Sequence, residues 1–125
     1  MALHLVEQDR EQQASGQREF HVVASYRMAI TRRETIRARY EGRVVTLWPY
    51  ALGWRGPEVH VLGLLMPDEA PGRRPPIVVQ WYRVADLQLL SVQKRYWIAA
   101  NVKAALRAAF MDRIEMPGSG AGPRA

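Results

Sequence analysis

At Thr35 the period of the apolar residues becomes two: Ile36, Ala38 and Tyr40 alternate with Arg37 and Arg39. Successive side chains of a strand point to opposite faces, so this is a strand with one buried face and arginines on the other. Glu41-Gly42 signals a tight turn, and Arg43 to Trp48 reads as the returning strand. Pro49 has no N–H to give to a ladder and is expected to end that strand, leaving Tyr50 to Pro57 as a loop. Val59 to Met66 is a near-continuous apolar strand, Asp68 to Pro76 an exposed loop, Ile77 to Val84 the next strand and Asp86 to Val92 a short last one. Closure removes exposed edges, so five short antiparallel strands in about sixty residues predict a small closed or nearly closed barrel.

Helices are expected on either side. Val22, Tyr26, Ala29, Ile30 and Arg33 recur at spacings of three and four, which predicts a short helix over about Val22 to Arg32. Ile98, Val102, Leu106, Phe110 and Ile114 form an i+4 row flanked by Ala105 and Ala109, which predicts a longer helix over about Gln93 to Glu115, ended by Pro117-Gly118. The row is expected to be buried on the barrel or against a partner. The expected class is therefore α+β. Residues 1–18 are polar and read as a flexible arm, 19–116 as the single domain and 117–125, rich in Gly, Pro and Ser, as a flexible tail.

A chain of 125 residues fits one domain, which at this size buries roughly two-thirds of its unfolded surface. There is no cysteine, which excludes disulfides and thiolate metal sites. The first ten residues lack the basic-then-apolar order of a signal peptide, and no apolar run approaches the ~18 residues of a membrane span. A cytoplasmic protein is expected.

The formal net charge is +6, with arginine far outnumbering lysine. The ratio of arginine to lysine reads either as a preference for phosphate-binding forks or as the codon bias of a GC-rich genome, but such a bias explains the net charge less easily, and that charge points to an anionic partner. The charge is uneven. Acids predominate before Phe20, whereas six arginines face two glutamates between Ser25 and Val45.

Candidate catalytic groups are sparse. His4, His21 and His60 have no metal-ligand spacing, and His60, within an apolar strand, reads as a hydrogen-bonded wall or core residue. No serine has a nucleophile-elbow context, no glycine-rich stretch opens a helix, and Glu34, Glu41, Glu58 and Asp86 mostly fall at turns. No enzyme, metal site or cofactor is expected. The arginines, by contrast, lie near aromatics: Arg55 beside Trp54, Arg83 beside Trp81 and Tyr82, Lys94-Arg95 beside Tyr96 and Trp97. Guanidinium groups capture phosphates and aromatic faces stack bases, and the two together make a platform for single strands or nucleotides. The plainer reading makes the tryptophans core residues and the arginines a solvated rim.

The run from Tyr26 to about Leu90 resembles the WYL domain family of bacterial regulators. The matching features are Met28 to Arg33 with Ala29-Ile30, the strand ending in Tyr40, Pro49 with Leu52-Gly53, the apolar Val61 to Leu64, and Tyr82-Arg83-Val84 before Leu87. The triplet that names the family stands here as Val59-His60-Val61, and its usual Asp-Arg-Ile as Ala85-Asp86-Leu87. The resemblance implies an Sm/SH3-like β-barrel that binds nucleic acid or a nucleotide-like ligand, often as the sensor of a transcription regulator. By position, Tyr40 and Arg83 are its best carry-overs. The residues before the domain are too few for a winged helix-turn-helix, so the chain alone is not expected to read an operator.

The expected function is thus a WYL-like sensor or regulatory module that binds single-stranded nucleic acid or a nucleotide ligand. Its expected binding residues are Arg37, Arg39, Tyr40, Arg83, Trp54 and Arg55. Tyr40 serves either the groove or the core. The alternative is a protein-interaction or homodimerisation module acting through the Ala-rich segment 93–115.

Overall fold

The computed structural model describes residues 20–68, 78–107 and 110–117. The expected arm, the tail beyond Pro117 and most of the Asp68 to Pro76 loop lie outside them.

Helix α1 (residues 20–32) buries Tyr26, Ala29 and Ile30, the stripe that its spacing predicts. It ends where Arg33 turns to a left-handed φ of 54°. The Arg33 and Glu34 amides then donate back to the Ile30 and Ala29 carbonyls at 3.4 and 2.9 Å, a Schellman closure.

Strand β1 (Thr35–Tyr40) pairs antiparallel with β2 (Arg43–Arg55) through the Glu41-Gly42 turn, both of whose residues have positive φ. β2 does not stop at Pro49. β1 leaves the ladder at Leu47, so Pro49 faces no β1 acceptor that needs an N–H, and β2 bulges between Pro49 and Ala51 and runs on. Beyond the bulge its freed side takes β6 (Arg113–Glu115) on Leu52, Gly53 and Trp54. The expected loop from Tyr50 is therefore strand as far as Arg55. On its other side β2 pairs with β3 (Glu58–Pro67), β3 pairs with β4 (Val79–Arg83), and β5 (Leu87–Gln93) returns to β1.

The strand order is β4-β3-β2-β1-β5, with β6 on β2. A 3-10 turn of three residues, Val84–Asp86, joins the two outermost strands of that path. Laid flat, those strands would stand about 19 Å apart at 4.8 Å per strand, whereas such a turn advances about 6 Å. The sheet is therefore rolled, and Tyr40 of β1 meets Tyr82 of β4 across its inside, ring centroids 5.5 Å apart. It is not the expected closed Sm/SH3-like barrel of five strands. β4 and β5 share no ladder, and the six-stranded sheet is open. A bulge in the β1–β5 pairing beside Ala38 bends β5, and the roll brings the edges together only at the turn.

The long C-terminal helix is not formed either. Residues 94–102 carry no regular structure, and α2 covers only Lys103–Arg107. Alanine-rich sequence favours helix, but tertiary partners claim this backbone first. The Trp48 indole donates to the Tyr96 carbonyl (3.0 Å), and the Tyr50 hydroxyl donates to that of Ile98 (2.6 Å). Asn101 accepts the Lys103 amide at 3.1 Å, as an N-cap does, and starts the helix there instead of at Gln93. Phe110, expected in a buried row, is 85% exposed.

Two clusters form the core. Inside the roll, Tyr26, Ile30, Ile36, Leu47, Leu52 and Val61 pack together, and on the outer face Trp48, Tyr50 and Leu64 pack under Trp97, Ile98 and Val102. Burial pushes the Tyr50 hydroxyl up to about 12. No helix among the described residues is long and apolar enough to cross a membrane.

Candidate functional site

Strand alternation sorts the predicted binding residues. Ile36 and Ala38 are fully buried, so Arg37 and Arg39 stand on the outer face, Arg37 half-buried and Arg39 exposed. Directly paired residues of an antiparallel ladder share a face. Thr46 therefore lies beside Arg37, and Val44 beside Arg39. This half of the outer face differs from the half over β3, which the 97–102 segment covers.

Two further groups join Arg37 and Arg39 from distant sequence. Arg95 Nη1 donates to Thr46 Oγ1 at 3.2 Å across 49 residues. The next residue, Tyr96, is held by its own carbonyl on the Trp48 indole, while its ring is 88% exposed. Asp68 supplies the local carboxylate. Arg37 Nη2 reaches its Oδ2 at 2.5 Å, Thr46 Oγ1 lies 3.4 Å from its Oδ1, and its amide donates to the Val44 carbonyl. Beside it a cavity of about 340 Å3 is bordered by Arg37, Gly42, Val44, Pro67 and Asp68, and by Arg43 at the tip of the hairpin. Among the described residues no carboxylate lies within ion-pair distance of Arg39, Arg43 or Arg95. Among the described residues the outer face thus carries the guanidinium groups of Arg37, Arg39 and Arg95 and the Asp68 carboxylate, with Arg43 at the edge of the cavity and the exposed Tyr96 next to Arg95 in the chain.

The other predicted residues lie elsewhere. Tyr40 points into the roll, edge-on to Tyr82. Burial, then the charges of Glu41 and Asp86, raise its hydroxyl pKa above the usual tyrosine value. Burial, and after it Tyr40, raise that of Tyr82. Trp54 packs against the inner core, with the Arg113 guanidinium 4.1 Å above its ring. Arg55 is exposed at the β2–β3 turn. Arg83 is cross-strand from His60 and reaches Glu58 Oε2 at 3.4 Å, while Glu58 Oε1 lies 3.0 Å from His60 Nε2. Sequence reading thus finds Arg37 and Arg39 on one face, and the structure adds Arg95 beside Arg37 through Thr46, and Arg43 at the edge of the neighbouring cavity. The adjacency of Arg95 and Tyr96 is visible in the chain. The placement of both over β2 is not, because it depends on an irregular segment crossing the sheet.

His60 is buried, and its Nδ1 has no hydrogen-bond partner among the described residues. Among the described residues no three His, Asp or Glu side chains converge as a metal site. Comparison with known proteins returns no match to any family model, curated protein or solved structure.

Proposed function

We propose that this protein is a binding module for single-stranded nucleic acid, held on the outer face of β1 and β2. The observation that carries the reading is the hydrogen bond from Arg95 to Thr46, the cross-strand partner of Arg37, which brings Arg95 onto the face of Arg37 and Arg39, with the exposed Tyr96 next in the chain. The guanidinium groups fit phosphate oxygens as planar forks, and Tyr96 offers a face for a base. The net charge of +6 favours an anionic partner over a neutral one. The likeness to WYL domains points to the same chemistry and rests on short motifs alone. It also motivates a sensor or regulatory role, with nucleotides as smaller ligands.

The reading is tested by fluorescence anisotropy with a short single-stranded oligonucleotide over a range of salt. Arg39→Ala and Arg95→Ala each take one guanidinium away from the phosphates. Either substitution is expected to flatten the log–log salt slope by about 0.7, with little dependence on base sequence. No binding by the wild type at low salt, or unchanged affinity in both variants, discards the proposal. A second reading, a protein-interaction surface within residues 93–115, draws on Phe110, which is 85% exposed. It predicts association that salt does not weaken and that Phe110→Ser abolishes.

A further inference from the structure

Among the described residues, Arg37 is the one basic group of this surface with a carboxylate already in place. Asp68 is held on both sides, by Arg37 at Oδ2 and by Thr46 at Oδ1, and its amide is fixed to the Val44 carbonyl. The carboxylate occupies the donors that an incoming phosphate needs. The pair is partly open to solvent, with side chains 39% and 30% exposed, and it borders the 340 Å3 cavity with Arg43 on the other side. An ion pair this exposed is weak enough to exchange.

Resting on the nucleic-acid reading above, we propose that Asp68 is an internal competitor for Arg37, a built-in anion that a phosphate group of the ligand must displace. The exchange trades one guanidinium–oxyanion pair for another, so Arg37 adds little to affinity while Asp68 stays charged. Among the described residues Arg39, Arg43 and Arg95 have no such competitor, and they supply the attraction. Asp68 also sets a threshold. A weakly charged ligand leaves the Arg37–Asp68 pair intact, whereas a polyanion anchored on the neighbouring arginines displaces the carboxylate. Affinity for a chain of phosphates therefore exceeds that for a single one by more than the number of free arginines alone would give.

The test is a double-mutant cycle on full-length protein, with Asp68→Asn, Arg37→Ala and the pair combined, read by anisotropy with single-stranded oligonucleotide and by thermal melting. Asp68→Asn is expected to bind about two- to fivefold more tightly, the range an exposed ion pair sets, and to steepen the salt slope by about 0.7 as Arg37 becomes available. In the Arg37→Ala background the same substitution is expected to leave the salt slope unchanged. Unchanged or weaker binding by a folded Asp68→Asn, or an equal gain in both backgrounds, overturns the role of Asp68 and leaves the face itself standing. Absence of binding by wild type and all variants overturns the underlying reading instead.

Discussion

Arginines among the described residues meet two kinds of surroundings. Where β6 closes on β2, Arg27 is engaged on Glu115 and Arg113 on the Trp54 ring, and at the nearby end of β4 Arg83 is engaged on Glu58. On the outer face of β1 and β2 and at the tip of their hairpin, Arg39 and Arg43 meet no carboxylate among the described residues, and Arg95 donates to a neutral hydroxyl. The difference teaches that a basic sheet is not uniformly available. Arg27, Arg83 and Arg113 are matched within the fold, Arg39 and Arg43 stand without a carboxylate among the described residues, and Arg37 lies between the two, paired with Asp68 on the open face.

The contrast should hold most sharply between stability and binding. Gly63→Ala is the severest test on the packed side, because a Cβ there would meet Leu47 Cδ1 at 2.6 Å and the Trp48 carbonyl oxygen at 2.8 Å. It should cost about 1–3 kcal/mol of stability in urea unfolding, with the folded fraction binding oligonucleotide as the wild type does. On the open side, Tyr96→Ala should leave the urea midpoint unchanged and weaken binding by about 1–3 kcal/mol, the worth of one stacked base. If Tyr96→Ala unfolds the protein while binding per folded molecule is retained, the division fails. The smallest effect is expected for Arg113→Ala, which takes the guanidinium off the Trp54 ring and should cost about 0.5–1 kcal/mol of stability. Its affinity for oligonucleotide should match the wild type, and a drop comparable to that of Arg39→Ala would put both sets of arginines in one site.

What is legible in the chain is what local periodicity controls. The alternation of Ile36, Ala38 and Tyr40 with Arg37 and Arg39 places β1 and the face of its arginines, and the spacing of Tyr26, Ala29 and Ile30 places α1. Pro49 misleads because a proline ends a strand only where its missing N–H is needed, and that depends on which neighbour stands beside it. Ile98 and Val102 mislead because their i+4 spacing is equally compatible with an irregular segment laid over Trp48 and Tyr50. Indole and phenol donors that take backbone carbonyls leave no trace in a periodicity. The open sheet is hidden for a similar reason, since strand count and turn length fix the roll but not whether the two edges find a common register. At the candidate site the pair on β1 is readable, and the contribution of Arg95 and Tyr96 is not, because 49 residues separate Arg95 from the hydroxyl that holds it.

The way β5 returns to β1 also decides where the entropy of folding is spent. The ladders β1–β2 and β2–β3 join strands adjacent in the chain across two-residue turns, and little chain must be closed to begin either. The β1–β5 ladder instead pairs Thr35 with Gln93 and Tyr40 with Leu87, and β2–β6 pairs Leu52 with Glu115. Loop closure grows only with the logarithm of length, so these two ladders carry a comparable and much larger share of the cost than the hairpins do. They raise the contact order of a domain whose remaining sheet is a simple meander, and with it the expected barrier to folding. Both long-range ladders converge on the hairpin of β1 and β2, so that one local hairpin carries both distant closures of the sheet.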